Sequence, residues 1–185
     1  MTLLVAGLVL FIAVHLIPSV VPLRAALIAR LGAGPYRGLF SLVAAAGLVL
    51  IVWGFAGAPF EPLYAPPTWG RQVAMFAVPV AVVLFATANM PTHIRAVLRH
   101  PMLLGLLLWA IAHLLSNGDL RSVVLFGAFA GYAVLGLVSA VARDQRLSTD
   151  KAPRLVMDGV AIVAGLVAAV LLAVFHAALF GVPVT

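Results

Sequence analysis

Six apolar segments follow one another along 185 residues, at about 3–21, 39–55, 72–88, 101–115, 122–142 and 158–180. A helix that crosses the hydrocarbon core of a bilayer needs about 20 such residues, and most of the six approach that length. The fourth has only about 15, so it is expected to begin as a helix near Thr92 and to kink at Pro101, where the ring removes a backbone donor. Backbone groups in lipid must bond within their own segment, and the alternation of a barrel strand is absent, which leaves helices. The chain is 65% hydrophobic and 9% charged, with a mean hydropathy of +1.22. No soluble domain of this length can hide that much apolar surface. The sequence therefore predicts an all-α, polytopic membrane bundle of six transmembrane helices in a single domain, 1–185. The first residues, Met1 to Gly7, lack a basic stretch and are expected to start a retained helix rather than a signal peptide.

The sparse charges carry topology. Arg24, Arg30 and Arg37 follow the first segment, Arg95 and Arg99 the third, and Arg143, Arg146, Lys151 and Arg154 the fifth; the other connections hold only Arg71 and Arg121. That asymmetry places the arginine-rich connections in the cytoplasm and both termini on the periplasmic or outer side. Ten of the eleven basic residues are Arg, in keeping with a GC-rich bacterial genome and an inner-membrane location. A net charge of +6 spread this thinly at segment ends does not point to nucleic acid.

Breakers agree with the segment count. Gly32-Ala33-Gly34-Pro35 separates the first two segments. The stretch 58–69, rich in proline and aromatics, is expected along the outer interface with Tyr64 and Trp69 at headgroup level. Ser116-Asn117-Gly118-Asp119 should cap the fourth helix and turn tightly into the fifth, where Gly127, Gly131 and Gly136 would permit close helix contacts.

The absence of cysteine excludes disulfides, thiolate zinc sites, iron–sulfur clusters and covalently attached haem. No paired carboxylates, Ser–His–Asp set or phosphate-cradling glycine loop occurs, so hydrolysis has no support. The chemistry rests on five histidines. His113 lies deep in the fourth segment, four residues after Trp109, and His15 lies in the first. Each reads either as polar glue between helices or as a metal or haem ligand, because an ionisable group in lipid is costly and usually faces the bundle interior. At 1.5 Å per residue, the two lie within about 6 Å of one another in depth. Haem b held between two imidazoles is geometrically permitted by that match. His100 sits at the inner boundary, about 18–20 Å along the helix from His113, and suits an interfacial role or a contact with substrate or propionate alongside Arg99. His93 falls in a basic connection, and His176 near the outer end of the last segment. Arg24, Arg37, Arg95 and Arg99 are topology determinants that could also pair with haem propionates.

Several spaced motifs carry a resemblance. His15-Leu16-Ile17-Pro18-Ser19, Tyr36-Arg37-Gly38-Leu39-Phe40-Ser41, Pro66-Pro67-Thr68-Trp69, Arg99-His100-Pro101-Met102-Leu103-Leu104-Gly105 and the run from Leu108 to Asp119 resemble the signatures of the NnrU family, over most of residues 11–135. That family is associated with denitrification and nitric oxide metabolism, and is related to the 15-cis-zeta-carotene isomerase of carotenoid biosynthesis. The resemblance implies a haem b site ligated by His15 and His113, with His100 as a third histidine of less defined role and with Arg24, Arg37 and Arg99 as residues binding the cofactor. It implies either haem-dependent cis–trans isomerisation of an apolar polyene reached from the lipid, or a non-catalytic accessory protein that responds to haem or nitric oxide. Residues 99–105 also resemble the Arg-His-Pro-x-Tyr-x-Gly element of membrane methyltransferases, but Leu103 stands at the tyrosine position and no glutamate follows Glu61.

Overall fold

The computed structural model describes residues 1–142 and 152–184. Among these, regular structure is helical apart from one isolated antiparallel bridge between Pro62 and Asp119. Five helical stretches are long and apolar enough to cross a membrane: Thr2–Ser19, Ala33–Ala56, Gly70–Thr87, Leu120–Ala142 and Leu155–Val174. Pro101–Leu114, the fourth apolar segment of the sequence, forms a shorter apolar helix. The protein is a membrane protein with several apolar helices. Arg143, Arg146 and Lys151 lie outside the described residues.

The chain forms two compact units, Met1–Glu61 and Pro62–Thr185. The first holds α1 (Thr2–Leu16), a 3-10 turn (Ile17–Ser19), α2 (Val21–Leu31) and α3 (Ala33–Ala56). α1 and α3 run antiparallel, with Leu4 beside Gly54, Gly7 beside Ile51 and Phe11 beside Gly47. A Cβ on Gly54 would lie 2.6 Å from the Leu4 Cα, so the backbones touch there because Gly54 has no side chain to hold them apart.

The segment after α1 differs from expectation. Instead of an open connection, residues 21–31 form α2, and α3 begins at Ala33 rather than near residue 39. Pro18 cannot extend α1, since its ring clashes with the preceding turn, and it enters the 3-10 turn instead. Pro22 then opens α2 where no backbone donor is required, and an Ala- and Leu-rich run continues it. Gly32, at φ 83°, ends α2 in a conformation that only glycine adopts without strain. Pro35 sits in the first turn of α3, where it is tolerated.

The second unit holds α4 (Gly70–Thr87), α5 (His93–Leu98), α6 (Pro101–Leu114), α7 (Leu120–Ala142), α8 (Leu155–Val174) and α9 (His176–Phe180). α4 packs against both α6 and α8, and α6 also carries α7. Gly105 brings α6 onto Ala81 of α4, and Gly165 brings α8 onto Val83. Of the three α7 glycines expected at close contacts, only Gly136 makes one, against the Leu103 side chain; Gly127 and Gly131 face open space. The last apolar segment is broken at Phe175 into α8 and α9.

The expected kink at Pro101 is a full break. Thr92 caps α5 by accepting the Arg95 amide at 3.0 Å, and α5 ends at Arg99. The His100 amide donates to the Leu98 carbonyl at 2.6 Å with Arg99 at φ 61°, ψ −43°, a γ-turn of the rare positive-φ kind. Such a conformation at a residue with a side chain costs of order 1–3 kcal/mol. α6 then restarts at Pro101, in the first-turn position where proline fits.

Candidate functional site

The membrane histidines share one local arrangement. In the first unit, His15 stands in the last turn of α1, and its Nδ1–H donates to the Phe11 carbonyl at 2.7 Å. Its ring stacks on Phe11, with centroids 4.1 Å apart, and meets Phe40 of α3 edge-on at 5.2 Å. In the second unit, His113 stands in the last turn of α6, and its Nδ1–H donates to the Trp109 carbonyl at 2.8 Å. Its ring stacks on Phe126 of α7 at 4.4 Å, and Trp109 packs beside both at 4.9 Å.

A carbonyl can only accept, so in each neutral ring the proton resides on Nδ1 and the Nε2 lone pair is left as the basic position. This tautomer is the one wanted of an imidazole that binds iron through Nε2, with the other nitrogen tied to a carbonyl that fixes the ring and raises its basicity. The local cause is the helix itself: a carbonyl four residues back in the last turn lies within reach of the imidazole. The aromatic neighbours at Phe11, Trp109 and Phe126 then set the ring plane.

The His113 turn is held from outside the helix. Its carbonyl accepts from the Ser116 amide (3.0 Å), the Asn117 amide (2.8 Å) and Asn117 Nδ2 (2.9 Å). The stretch from Pro62 to Gly70 straps across this end of α6. Leu63 and Tyr64 amides donate to the Gly118 carbonyl, at 2.8 and 3.1 Å. The Tyr64 hydroxyl donates to the Leu114 and Asn117 carbonyls. The Ser116 hydroxyl shares its proton between the Ala112 carbonyl at 3.0 Å and the Gly70 carbonyl at 3.3 Å, and Gly70 itself lies directly against Leu115. Beyond the strap, buried Asp119 starts α7 by accepting from the Ser122 amide (3.2 Å) and hydroxyl (2.6 Å), and it pairs with Arg121 at 3.2 Å. The expected tight turn at residues 116–119 is therefore present. Tyr64 closes the end of α6. Burial, and next the charge of Asp119, push the Tyr64 phenol above its ordinary pKa.

The other expected residues fall as follows. His176, in α9, donates from Nδ1 to the Val182 carbonyl at 2.6 Å and lies within electrostatic reach of His113. His100 is the N-cap residue of α6, at the opposite end from His113, and is half-buried. Arg99 is exposed in the γ-turn, Arg24 is exposed on α2, and Arg37 is exposed in the second turn of α3. His93 and Asp158 were not paired by sequence reasoning, yet Asp158 of α8 accepts from His93 Nδ1 at 2.8 Å and from the His93 and Ile94 amides at 3.2 and 3.1 Å. A lone acid four residues after Arg154, at the head of an apolar run, was the available signal. Among the described residues, no group of three or more metal-ligating side chains occurs.

Comparison with known proteins gives one result. The sequence profile of the family described as NnrU protein matches residues 3–184. This chain belongs to the NnrU family. No curated protein and no solved structure matches it. The NnrU match takes in both units and extends through the C-terminal helices, beyond the motifs that first carried the likeness.

Proposed function

We propose that this NnrU protein is a haem b protein of the bacterial inner membrane that isomerises a cis double bond in an apolar polyene. The observation that carries this reading is the matched state of two histidines. His15 and His113 each stand in the last turn of an apolar helix, each tie Nδ1–H to the carbonyl four residues back, and each keep Nε2 as the basic nitrogen. These two side chains would hold the iron. Arg24, Arg37 and Arg99 would pair with the propionates, whose planar carboxylates suit a guanidinium fork. His100, one helix length from His113, would line the inner rim of the pocket. A bound haem would supply a redox-switchable Lewis acid.

The chain's own part is positional. The Phe11, Phe126 and Trp109 rings fix the imidazole planes and offer an apolar wall to a polyene arriving from lipid. The strap from Pro62 to Gly70 closes the end of α6 against water. In this reading α6 counts as a short sixth span, and both termini face the periplasm.

The test is direct. Haem-loaded protein, purified in detergent, is incubated under reducing conditions with tri-cis-zeta-carotene, and the products are separated by chromatography. Conversion to the central trans isomer is expected, and it should disappear in His15→Ala and His113→Ala. A haem-loaded sample that gives no conversion counts against the isomerase and leaves the non-catalytic, nitric oxide-responsive role in denitrification.

A further inference from the structure

A second site stands at the corner where α5 meets the head of α8. We propose that this corner binds the phosphate of an anionic phospholipid, with Arg95 as its principal donor. Arg95 lies in the middle of α5, and its Nε is buried with no hydrogen-bond partner. A guanidinium is always charged and carries five donors in a planar fork; with Nε shut in and unpartnered, the charge of half-buried Arg95 is left to be met at the outer end of the fork, where the oxygens of an anion fit. The neighbouring carboxylate does not serve. Both oxygens of Asp158 are engaged, Oδ2 by the His93 amide and Nδ1 and Oδ1 by the Ile94 amide.

More positive charge borders the same corner. Arg99 is exposed one residue past the end of α5. Arg154, also exposed, is fixed beside the start of α5 by its amide, which donates to the Pro91 carbonyl at 3.0 Å. Among the described residues, neither takes part in the two ion pairs present, His93–Asp158 and Arg121–Asp119.

The apolar side of α5 distinguishes a lipid from free phosphate. Val97 is 77% exposed and Leu98 38% exposed. A short helix with bare aliphatic side chains beside arginines has the composition of an interfacial element, its apolar groups among acyl chains and its cations at phosphate level. Inorganic phosphate would satisfy Arg95 and leave Val97 in water. A phospholipid satisfies both.

The experiment uses the full chain in a neutral detergent. Phosphatidylglycerol, phosphatidylcholine and inorganic phosphate are titrated separately, with binding read by native mass spectrometry and by thermal shift. Saturable binding of phosphatidylglycerol alone is expected, weakened at least about ten-fold by Arg95→Gln, as befits loss of a charge-assisted contact. Arg71→Gln, at the start of α4, should bind as the wild type does. Val97→Glu, on a side chain too exposed to matter for folding, should weaken phosphatidylglycerol binding as well, and it serves if Arg95→Gln does not fold. Unchanged binding in Arg95→Gln, or equal binding of phosphatidylcholine, overturns the proposal. An equal effect of inorganic phosphate overturns the lipid assignment and gives the site to a free anion.

Discussion

Replacing Gly70 by alanine tests whether the strap over α6 is as tight as its geometry implies. The new Cβ would lie 2.7 Å from the Leu115 carbonyl carbon and closer still to its oxygen. Ordinary contact begins near 3.4 Å, so the two backbones would have to part by 0.7 Å on the carbon alone, and by more on the oxygen. The obstacle is main chain in the turn that follows His113, which has no rotamer to change. Overpacking of this kind costs about 1–3 kcal/mol or more, while the Ser116 hydroxyl keeps its bond to the Ala112 carbonyl at 3.0 Å. About 3 kcal/mol of destabilisation is expected. Gly127→Ala is the control, because nothing lies within 4 Å of its Cβ. That change should stabilise α7 by about 0.5–1 kcal/mol through backbone entropy alone. Thermal and denaturant unfolding of the purified proteins, followed by tryptophan fluorescence and circular dichroism, measures both. If Gly70→Ala unfolds at the same midpoint as Gly127→Ala, the strap does not press on α6 and the argument for a closed end fails.

Three further outcomes follow from particular contacts. The Tyr64 phenol is raised in the fold, so the folded state keeps a proton that the unfolded state releases near pH 10.0. Stability should therefore be full below that pH and fall as pH rises through the folded value, and Tyr64→Phe should flatten this arm of the unfolding profile. Asp158→Ala removes the shared acceptor of three donors at the head of α5. Amide hydrogen exchange at His93 and Ile94 should then accelerate at least about ten-fold, while unchanged protection would show that α5 is held by other means. Arg99→Gly relieves a positive-φ γ-turn, and in neutral detergent without anionic lipid it should raise stability by about 1 kcal/mol after the entropy cost of glycine. A lowered melting point would mean that the turn is not strained.

Much of the architecture was legible because lipid leaves so few choices. Apolar runs marked the helices, and prolines and glycines marked several of their ends. The sequence misled where polar signals sat inside helices. Arg24 and Arg30 made residues 22–31 resemble a connection, although Pro22 and the alanine-rich run favour the helix that forms. Gly127 and Gly131 suggested helix contacts, but spacing along one helix says nothing about which face a neighbour covers. At the candidate site, His15 and His113 stood out by their cost in lipid. Their tautomers did not, because these depend on a hydrogen bond to a carbonyl within the same turn. The strap was only half visible: Asn117-Gly118-Asp119 announced a turn, but the pairing of Tyr64 with Leu114 and Asn117 joins residues 50 and 53 apart. The Asp158–His93 clamp joins residues 65 apart and was equally hidden.

The visible absorption spectrum of the detergent-purified protein, expressed with ample haem, tests the central claim most directly. A Soret band is expected in the wild type, with the sharp reduced bands of an iron carrying two imidazoles. Either His15→Ala or His113→Ala should abolish or shift it, while His176→Ala should leave it intact. A colourless wild-type protein, or a Soret band that survives both substitutions unchanged, would contradict the account.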